Sequence, residues 1–152
     1  MANWYAGAVI YRMNEGTPEF LVIDTHSTLP QFEKKPMQTK FLGGTEEGHL
    51  IEDVHVLGTL RRELTEESDM SLPVDYSPRL IHSQNSPGHF KNFYLIPFTD
   101  LTGTLRTTEK TIDGDWMSVP FWINFETACR VLFRTHQDAL MKAYDRLTTK
   151  AA

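Results

Sequence analysis

The amino-acid sequence predicts an α/β fold, in which a mixed β-sheet packs against helices on its faces. Short segments rich in β-branched and aromatic residues occur before and after a segment with helical periodicity, and a second helical segment follows near the end of the chain. Strands, a helix, more strands and a helix in this order are typical of a sheet covered by helices. The chain has 152 residues, 40% of them hydrophobic, so we expect a single domain over residues 1–152 with a sizeable core.

The first two strands are predicted to form a β-hairpin. Residues 6–11 and 19–23 are rich in β-branched or aromatic side chains, and the turn-forming stretch 14–18 lies between them. Residues 24–38 contain two prolines and little periodicity, so we expect a long loop there. A short strand is predicted after it, over residues 39–42.

A helix is predicted over residues 53–69, where leucines recur three and seven positions apart on one helical face. These are Leu57, Leu60 and Leu64. Beyond this helix, residues 79–82 and 92–96 have strand character and are separated by the turn-prone stretch 84–88. The sheet is therefore expected to resume after the helix.

The C-terminal segment, residues 124–147, has apolar residues at helical spacing. It is predicted to form one bent helix or two short ones that cover the sheet. Cys129 is expected on the apolar side of this segment, in a buried structural role. Because it is the single cysteine of the chain, an internal disulfide is excluded.

Composition and charge exclude several classes of protein. The chain has 15 Lys and Arg against 20 Asp and Glu, a net charge of −5, which argues against a broad nucleic-acid surface. No apolar run approaches the ~20 residues that span a bilayer, and the first residues lack the pattern of a signal peptide. The six histidines show no metal-ligand spacing, so a zinc site is not expected. We expect a soluble cytoplasmic protein without a membrane or nucleic-acid polymer as partner.

The most informative segment is residues 62–67, because three carboxylates share one face of the predicted helix. Glu63, Glu66 and Glu67 are three and four positions apart. Like charges so placed repel each other, and a divalent cation with oxygen ligands, Mg²⁺ or Mn²⁺, would remove the repulsion. Arg62 precedes Glu66 by four residues and could pair with a carboxylate. The alternative is an ordinary solvated face, since Glu is a good helix former.

This segment resembles the signature of the Nudix hydrolases, which ends in Arg-Glu-apolar-any-Glu-Glu-any-Gly-apolar. Residues 62–70 (Arg-Glu-Leu-Thr-Glu-Glu-Ser-Asp-Met) match that element, and residues 43–48 (Gly-Gly-Thr-Glu-Glu-Gly) match the earlier, glycine-containing part. Residues 6–12 resemble the first strand of the family, and residues 115–116, followed by a proline and a helix, resemble its last strand. The resemblance covers most of the chain and implies a Nudix-like α/β/α sandwich.

The signature departs from the family pattern at three places. Gly44 stands 18 positions before Arg62, about four more than in the family. Counting back from Arg62 places Val54 at the first glutamate of the pattern; the nearby acids are Glu52, Asp53 and, farther away, Glu47. Asp69 replaces the glycine that ends the helix, and Leu42 replaces the proline before the two glycines. Asp is among the better substitutes for glycine in the left-handed conformation.

Similarity to the Nudix hydrolases implies hydrolysis of a diphosphate linkage in a nucleoside diphosphate derivative or a related small pyrophosphate. Water must attack phosphorus through negatively charged oxygens, so a cation is needed to screen them and lower the pKa of that water. A small nucleotide-type substrate and, as for many small enzymes, a homodimer are expected. A non-catalytic Nudix-like domain that binds a nucleotide or a protein partner is the alternative, because the first half of the signature is altered.

The resemblance also assigns roles to the acidic residues. Glu63, Glu66 and Glu67 would bind one or more Mg²⁺ or Mn²⁺ ions, and Arg62 would orient Glu66 or Glu63. The predicted catalytic residues are Glu63, Glu66, Arg62 and Glu109. Among them, Glu109 is the preferred general base.

In the family the general base is either a glutamate of the signature or a carboxylate on a later loop. Glu109 is preferred because residues 107–115 lie where such a later carboxylate would come. Asp113 and Asp115 of that segment are alternatives. The segment could equally be an exposed polar hairpin.

The remaining candidates would contact substrate. Gly43 and Gly44 would let the backbone approach a phosphate. Arg12 and Lys40 are candidate phosphate contacts, although single cations are usually solvated. Aromatic rings stack on any nucleotide base. The candidates for such stacking are Trp4, Tyr5, Phe32 and Phe90. Each of them could instead fill the core or its rim.

Overall fold

The computed structural model describes residues 3–32, 34–48, 50 and 55–149. The strands are β1 (Asn3–Asn14), β2 (Thr17–Ser27), β3 (Gln38–Thr45), β4 (Met70–Ser71), β5 (Arg79–Ser86), β6 (His89–Pro97), β7 (Thr102–Gly103), β8 (Lys110–Ile112), β9 (Asp115–Met117) and β10 (Phe121–Asn124). The α-helices are α1 (Val56–Ser68), α2 (Phe125–Val131) and α3 (Gln137–Thr148). Short 3₁₀ helices lie at Pro30–Phe32, Phe98–Asp100 and Arg134–His136.

A mixed sheet of eight strands organises the molecule, in the order β5-β6-β1-β3-β2-β9-β8, with β10 paired to β2. Strands β1 and β6 are parallel, and the other described pairs in this sheet are antiparallel. Strands β4 and β7 form a separate small sheet. The predicted α/β fold with a mixed sheet is confirmed.

Each face of the large sheet has its own hydrophobic cluster. The cluster under α1 includes Ala8, Ile10, Leu42, Leu60 and Leu64. The cluster under α3 includes Val9, Phe41, Phe93, Leu140 and Ala143. Successive residues of a strand point to opposite faces, which is why Ala8 and Ile10 belong to one cluster and Val9 to the other. The sheet is thus the middle layer of an α/β/α sandwich.

The predicted N-terminal hairpin is present and longer than predicted. Tyr11 lies opposite Phe20, and Asn14 lies opposite Thr17. The two turn residues, Glu15 and Gly16, have φ angles of 53° and 82°, as a type I′ turn requires.

The predicted loop over residues 24–38 is partly wrong. Strand β2 continues to Ser27 because it pairs there with β9, and a 3₁₀ helix forms at Pro30–Phe32. Strand β3 begins at Gln38, opposite Thr25 of β2. Pairing with strands from distant parts of the chain therefore extends β2 beyond its apolar segment.

Helix α1 corresponds to the predicted acidic helix. It begins after His55, whose side chain accepts a hydrogen bond from the Gly58 N–H. Residues 53 and 54 of the predicted helix lie outside the described residues. Leu60 and Leu64 are fully buried, as the periodicity predicted. The helix ends at Asp69, which adopts the left-handed conformation with φ 64°. The predicted replacement of a helix-ending glycine by Asp69 is confirmed.

The later strands are more numerous than the sequence pattern predicts. Strands β5 and β6 extend the predicted segments and are joined by a tight turn at residues 87–88. Strands β4, β7 and β8, of two or three residues each, have no counterpart among the predicted elements. Segments this short carry too little pattern to be recognised without their pairing partners.

The C-terminal segment forms two short helices, α2 and α3, one of the two predicted possibilities. The predicted burial of Cys129 is wrong: its side chain is exposed. Helix α2 has only seven residues and buries Ala128, so the next residue, Cys129, points away from the sheet. None of the described helices is long and apolar enough to cross a membrane.

Asp69→Gly is expected to raise the free energy of unfolding and Asp69→Ala to lower it, by about 0.5–1 kcal/mol in each direction. Glycine adopts φ 64° without the steric cost of a Cβ atom, whereas alanine keeps that cost and lacks the polar side chain of aspartate. Both variants lose the exposed contact between Asp69 and Lys110, so that loss cancels in their comparison. Urea unfolding measures the difference, and equal stability of the two variants would contradict the strain at Asp69.

Candidate functional site

A cavity of about 690 Å³ lies between α1, β3 and the loops after β2 and β8. The acidic side of α1 forms one wall, with Glu63, Glu66 and Glu67 lining it. The two glycines of β3, Gly43 and Gly44, lie beside these acids. The predicted carboxylates and glycines are therefore brought together at one cavity.

Glu67 is the innermost of the three acids, and both of its oxygens are engaged. Its side chain is 6% exposed, Oε1 accepts a hydrogen bond of 2.6 Å from the Gly43 N–H, and Oε2 lies 3.3 Å from Lys40 Nζ. Lys40 also donates to the Gly43 carbonyl oxygen at 2.7 Å. Burial raises the pKa of the Glu67 carboxyl, although Lys40 and the Gly43 N–H act in the opposite direction.

Glu63 lies between Glu67 and the open cavity. Burial and the charge of Glu67 raise its pKa to about 7, even though Arg62 Nη1 is 3.0 Å from its Oε1. A Cβ atom at Gly44 would overlap the Glu63 carboxylate. The second glycine is thus the reason that this carboxylate can lie directly against the backbone of β3.

Glu66 is the most exposed of the three carboxylates and contacts the same guanidinium group. Arg62 Nη1 is 3.3 Å from Glu66 Oε2, and Arg62 Nη2 donates to the Thr45 carbonyl oxygen at 3.4 Å. Glu47 Oε2 lies 4.0 Å from Arg62 Nη1. Glu47 therefore contacts Arg62, and both Glu46 and Glu47 line the cavity. Glu52, Asp53 and Val54 lie outside the described residues.

The floor of the cavity contains a half-buried tyrosine and a buried histidine that sequence patterns did not bring together. The Phe41 N–H donates to His136 Nδ1 at 3.2 Å, and His136 Nε2 is 3.2 Å from the Tyr5 hydroxyl. Because Nδ1 accepts, the ring proton of the neutral histidine is on Nε2 and is donated to Tyr5. Burial holds the pKa of His136 well below its usual value and raises that of Tyr5 to about 12. Both groups are therefore uncharged near neutral pH, and no sequence spacing indicates their contact.

The aromatic candidates divide into two groups. Tyr5 and Phe32 line the cavity, and Lys35 Nζ lies 4.6 Å from the centre of the Phe32 ring. Trp4 instead donates through Nε1 to Thr59, and Phe90 is an exposed residue of β6. Tyr5 and Phe32 are thus the predicted aromatic residues that remain candidates for contact with a bound base.

Two other predicted site residues do not line the cavity. Arg12 pairs with Glu19 at 2.8 Å and lies over the ring of Trp122, at the turn end of the hairpin. Glu109 accepts a hydrogen bond of 3.0 Å from Trp116 Nε1. Asp113 and Asp115, the alternatives from the same segment, do line the cavity.

The donor groups of the acidic side suit a hard divalent cation, because they are carboxylate oxygens. These carboxylate oxygens are not gathered around one point. In the part of the chain that the structure describes, no three His, Cys, Asp or Glu side chains lie close enough together to hold a metal ion. Lys40 engages Glu67, whereas Glu63 and Glu66 share one nitrogen of Arg62. Glu67 is therefore paired with a lysine, while Glu63 and Glu66 are paired with the same guanidinium group.

Comparison with solved structures identifies the fold. A scan against protein-family models and a search of curated proteins find no match. A MutT structure from work on Aliivibrio salmonicida and Vibrio cholerae matches with a TM-score of 0.65 and 13% identity, covering 96% of this chain and 99% of that one. The Nudix domain of Shewanella oneidensis NrtR, solved with ADP-ribose, matches with a TM-score of 0.66 and 15% identity, covering 97% and 90%.

A third structure, the Ap4A hydrolase of C. elegans, matches with a TM-score of 0.52 and 16% identity over 98% of this chain and 100% of that one. Together these matches show that the chain has the Nudix fold. The fold implied by the sequence resemblance is therefore confirmed.

Gly43→Ala is expected to lower the free energy of unfolding by on the order of 2–4 kcal/mol, because φ is 151° at Gly43 and a Cβ atom there would overlap the Ala6 carbonyl. Gly44→Ala should cost much less, since the end of the flexible Glu63 side chain can move aside. Gly48→Ala, whose Cβ atom meets nothing closer than 3.7 Å, is the control. Urea unfolding measures the order of stability of the three variants. A Gly43→Ala variant as stable as the Gly48→Ala variant would refute the predicted order.

Glu63→Gln is expected to stabilise the metal-free protein at alkaline pH and to have little effect near pH 4.5. The folded protein holds the Glu63 proton up to a pKa of about 7, against an ordinary value of 4.5, so the stability of the wild type falls as pH rises between these values. At pH 8 the variant should be more stable by on the order of 2 kcal/mol.

Urea unfolding in the presence of a chelator at pH 4.5 and pH 8 measures this effect. Glu126→Gln, which removes an exposed acid of α2, is the matched control. A Glu63→Gln effect that is the same at both pH values would show that the carboxyl does not titrate in this window.

Proposed function

We propose that this chain is a hydrolase that cleaves a diphosphate linkage in a nucleoside diphosphate derivative. The observation that carries the proposal is the acidic side of α1, which lines a cavity of about 690 Å³ beside Gly43 and Gly44. A cavity of this volume is in the range that encloses small organic ligands. The Nudix fold, the ADP-ribose bound to the NrtR domain and the matched Ap4A hydrolase support a nucleotide-derived substrate.

Glu63 and Glu66 are proposed to hold a divalent cation, Mg²⁺ or Mn²⁺. When bound, such a cation screens the phosphate oxygens and lowers the pKa of the attacking water. Arg62 contacts both carboxylates and is proposed to orient Glu66 from the side. Glu67, predicted as a third ligand, is already paired with the buried Lys40. Its contribution to cation binding therefore depends on that lysine.

The opposite end of the cavity is proposed to bind the nucleotide base. Phe32 offers an aromatic face, and a base stacks on such a face whatever its identity. Gly43 and Gly44 line the cavity beside the acids and are proposed to lie near the phosphates, with the Glu63 carboxylate against Gly44. Lys40 is not proposed as a phosphate contact, because Glu67 and the Gly43 carbonyl engage its ammonium group. Arg12 is not proposed either, since it lies outside the cavity.

The general base is proposed to be Asp113 or Asp115 rather than Glu109. A base must come within hydrogen-bond reach of the water that it deprotonates, and these two aspartates line the cavity. Glu109 does not line the cavity and accepts a hydrogen bond from Trp116.

Non-catalytic binding of a nucleotide or a protein partner remains the second candidate function, and one observation favours it. The three acids of α1 already have positively charged neighbours, Lys40 and Arg62, so the site is partly neutralised without any added ion. A domain of this kind would bind a ligand in the same cavity and leave it intact.

Turnover of a nucleotide panel decides between the two functions. We expect the protein to cleave at least one nucleotide derivative, with ADP-ribose and Ap4A in the panel and Mg²⁺ or Mn²⁺ present, as followed by chromatography of the products. Glu66→Gln should reduce turnover by at least about 100-fold while retaining the melting temperature, whereas Glu126→Gln should leave turnover unchanged. Intact nucleotides combined with a ligand-induced rise in melting temperature would establish binding without cleavage.

A further inference from the structure

A lysine occupies the inner part of the acidic site, where a metal ion would otherwise find oxygen ligands. Lys40 Nζ lies 2.7 Å from the Gly43 carbonyl oxygen and 3.3 Å from Glu67 Oε2. The Lys40 and Glu67 side chains are only 15% and 6% exposed. A carbonyl and a carboxylate oxygen are the ligand types that hard divalent cations prefer. The ammonium group is therefore coordinated by groups suited to such a cation.

The outer pair of acids is held differently. Glu63 and Glu66 contact Arg62, which belongs to the same helix and also donates to the Thr45 carbonyl oxygen. Glu66 has a side chain that is 36% exposed, so water can reach it and replace a displaced guanidinium group. Glu67, in contrast, would have to lose its contact with Lys40 to bind an added ion. The ammonium group of Lys40 would then be a buried charge without a partner.

We propose that Lys40 is an internal cation that takes the place of a metal ion at Glu67 and keeps this carboxylate from binding an added divalent cation. This inference rests on the proposed function in taking Glu63 and Glu66 as the cation-binding pair. Two positive ions bound to one carboxylate within a few ångströms repel each other strongly in a buried site. The positive charge of Lys40 therefore lowers the affinity of the whole acidic side for a divalent cation.

Lys40 acts in this proposal through Glu67 and is a positioning residue. A purely structural lysine would stabilise the fold without changing which carboxylates bind an ion. The measurement that separates these roles is the affinity for Mn²⁺, determined from the electron paramagnetic resonance signal of free Mn²⁺ in titrations of the chelator-treated protein.

Removal of the lysine charge is the first test. Lys40→Gln should bind Mn²⁺ at least about tenfold more tightly than the wild type, and the gain should disappear in the double variant Lys40→Gln with Glu67→Gln. Lys40→Arg, which keeps the charge, should retain the wild-type affinity. Lys142→Gln, which removes an exposed lysine of α3, is the matched control and should have no effect. An affinity of Lys40→Gln equal to or weaker than that of the wild type overturns the proposal.

The second test removes both partners of the ion pair together, because loss of one partner of a buried ion pair can unfold a protein. The double variant Lys40→Gln with Glu67→Gln should keep the Mn²⁺ affinity of the wild type within about twofold, whereas Glu66→Gln alone should weaken it by at least about tenfold. A tenfold loss in the double variant would show that Glu67 binds the ion in the wild type despite Lys40, and would overturn the proposal.

These measurements need no turnover and so separate this proposal from the proposed function. Absence of nucleotide cleavage together with tighter Mn²⁺ binding by Lys40→Gln would support the role of Lys40 and refute the hydrolase. Cleavage together with unchanged Mn²⁺ binding by Lys40→Gln would refute the role of Lys40 alone.

Discussion

The buried contact among Lys40, Glu67 and Gly43 is the constraint on which the site depends. Lys40 and Gly43 belong to β3 and Glu67 belongs to α1, so the contact fixes the position of the acidic helix relative to the sheet. Gly43 contributes both its N–H and its carbonyl group, and its φ of 151° is one that other residues rarely adopt. The charges compensate each other at a place from which water is largely excluded, where an unpaired charge would cost several kcal/mol.

The other charges of the site follow from this arrangement. With Glu67 fixed in a buried position, Glu63 lies close to a second carboxylate and partly out of water, which raises its pKa to about 7. Arg62 compensates this charge and that of Glu66 with one guanidinium group. The floor of the cavity contributes no charge near neutral pH, because His136 is held neutral by burial and its contact with Tyr5 is between uncharged groups. Charged groups therefore line the cavity along α1 and also at Asp113 and Asp115, in the segment of β8 and β9.

Local sequence patterns were sufficient where neighbouring residues determine the structure. The hairpin turn at Glu15 and Gly16, the apolar side of α1 and its end at Asp69 depend on contacts within a few residues. They failed for the short strands β8 and β10, which pair with β9 and β2. The same limit explains Glu109: it shares one polar segment with Asp113 and Asp115, and only the pairing of β8 with β9 decides which of these acids line the cavity.

The sequence by itself determined the mixed α/β architecture, the acidic helix and the glycine pair beside it, because periodicity, helix-ending residues and short motifs are local properties. Only the tertiary structure decided that Lys40 binds Glu67, that Phe41 and Tyr5 contact His136, and that Arg12 and Glu109 lie away from the cavity. The two contacts of His136 join residues 95 and 131 positions apart, and strand order and register decide them. Such long-range pairings depend on the packing of the whole sheet, which no short segment of the chain encodes.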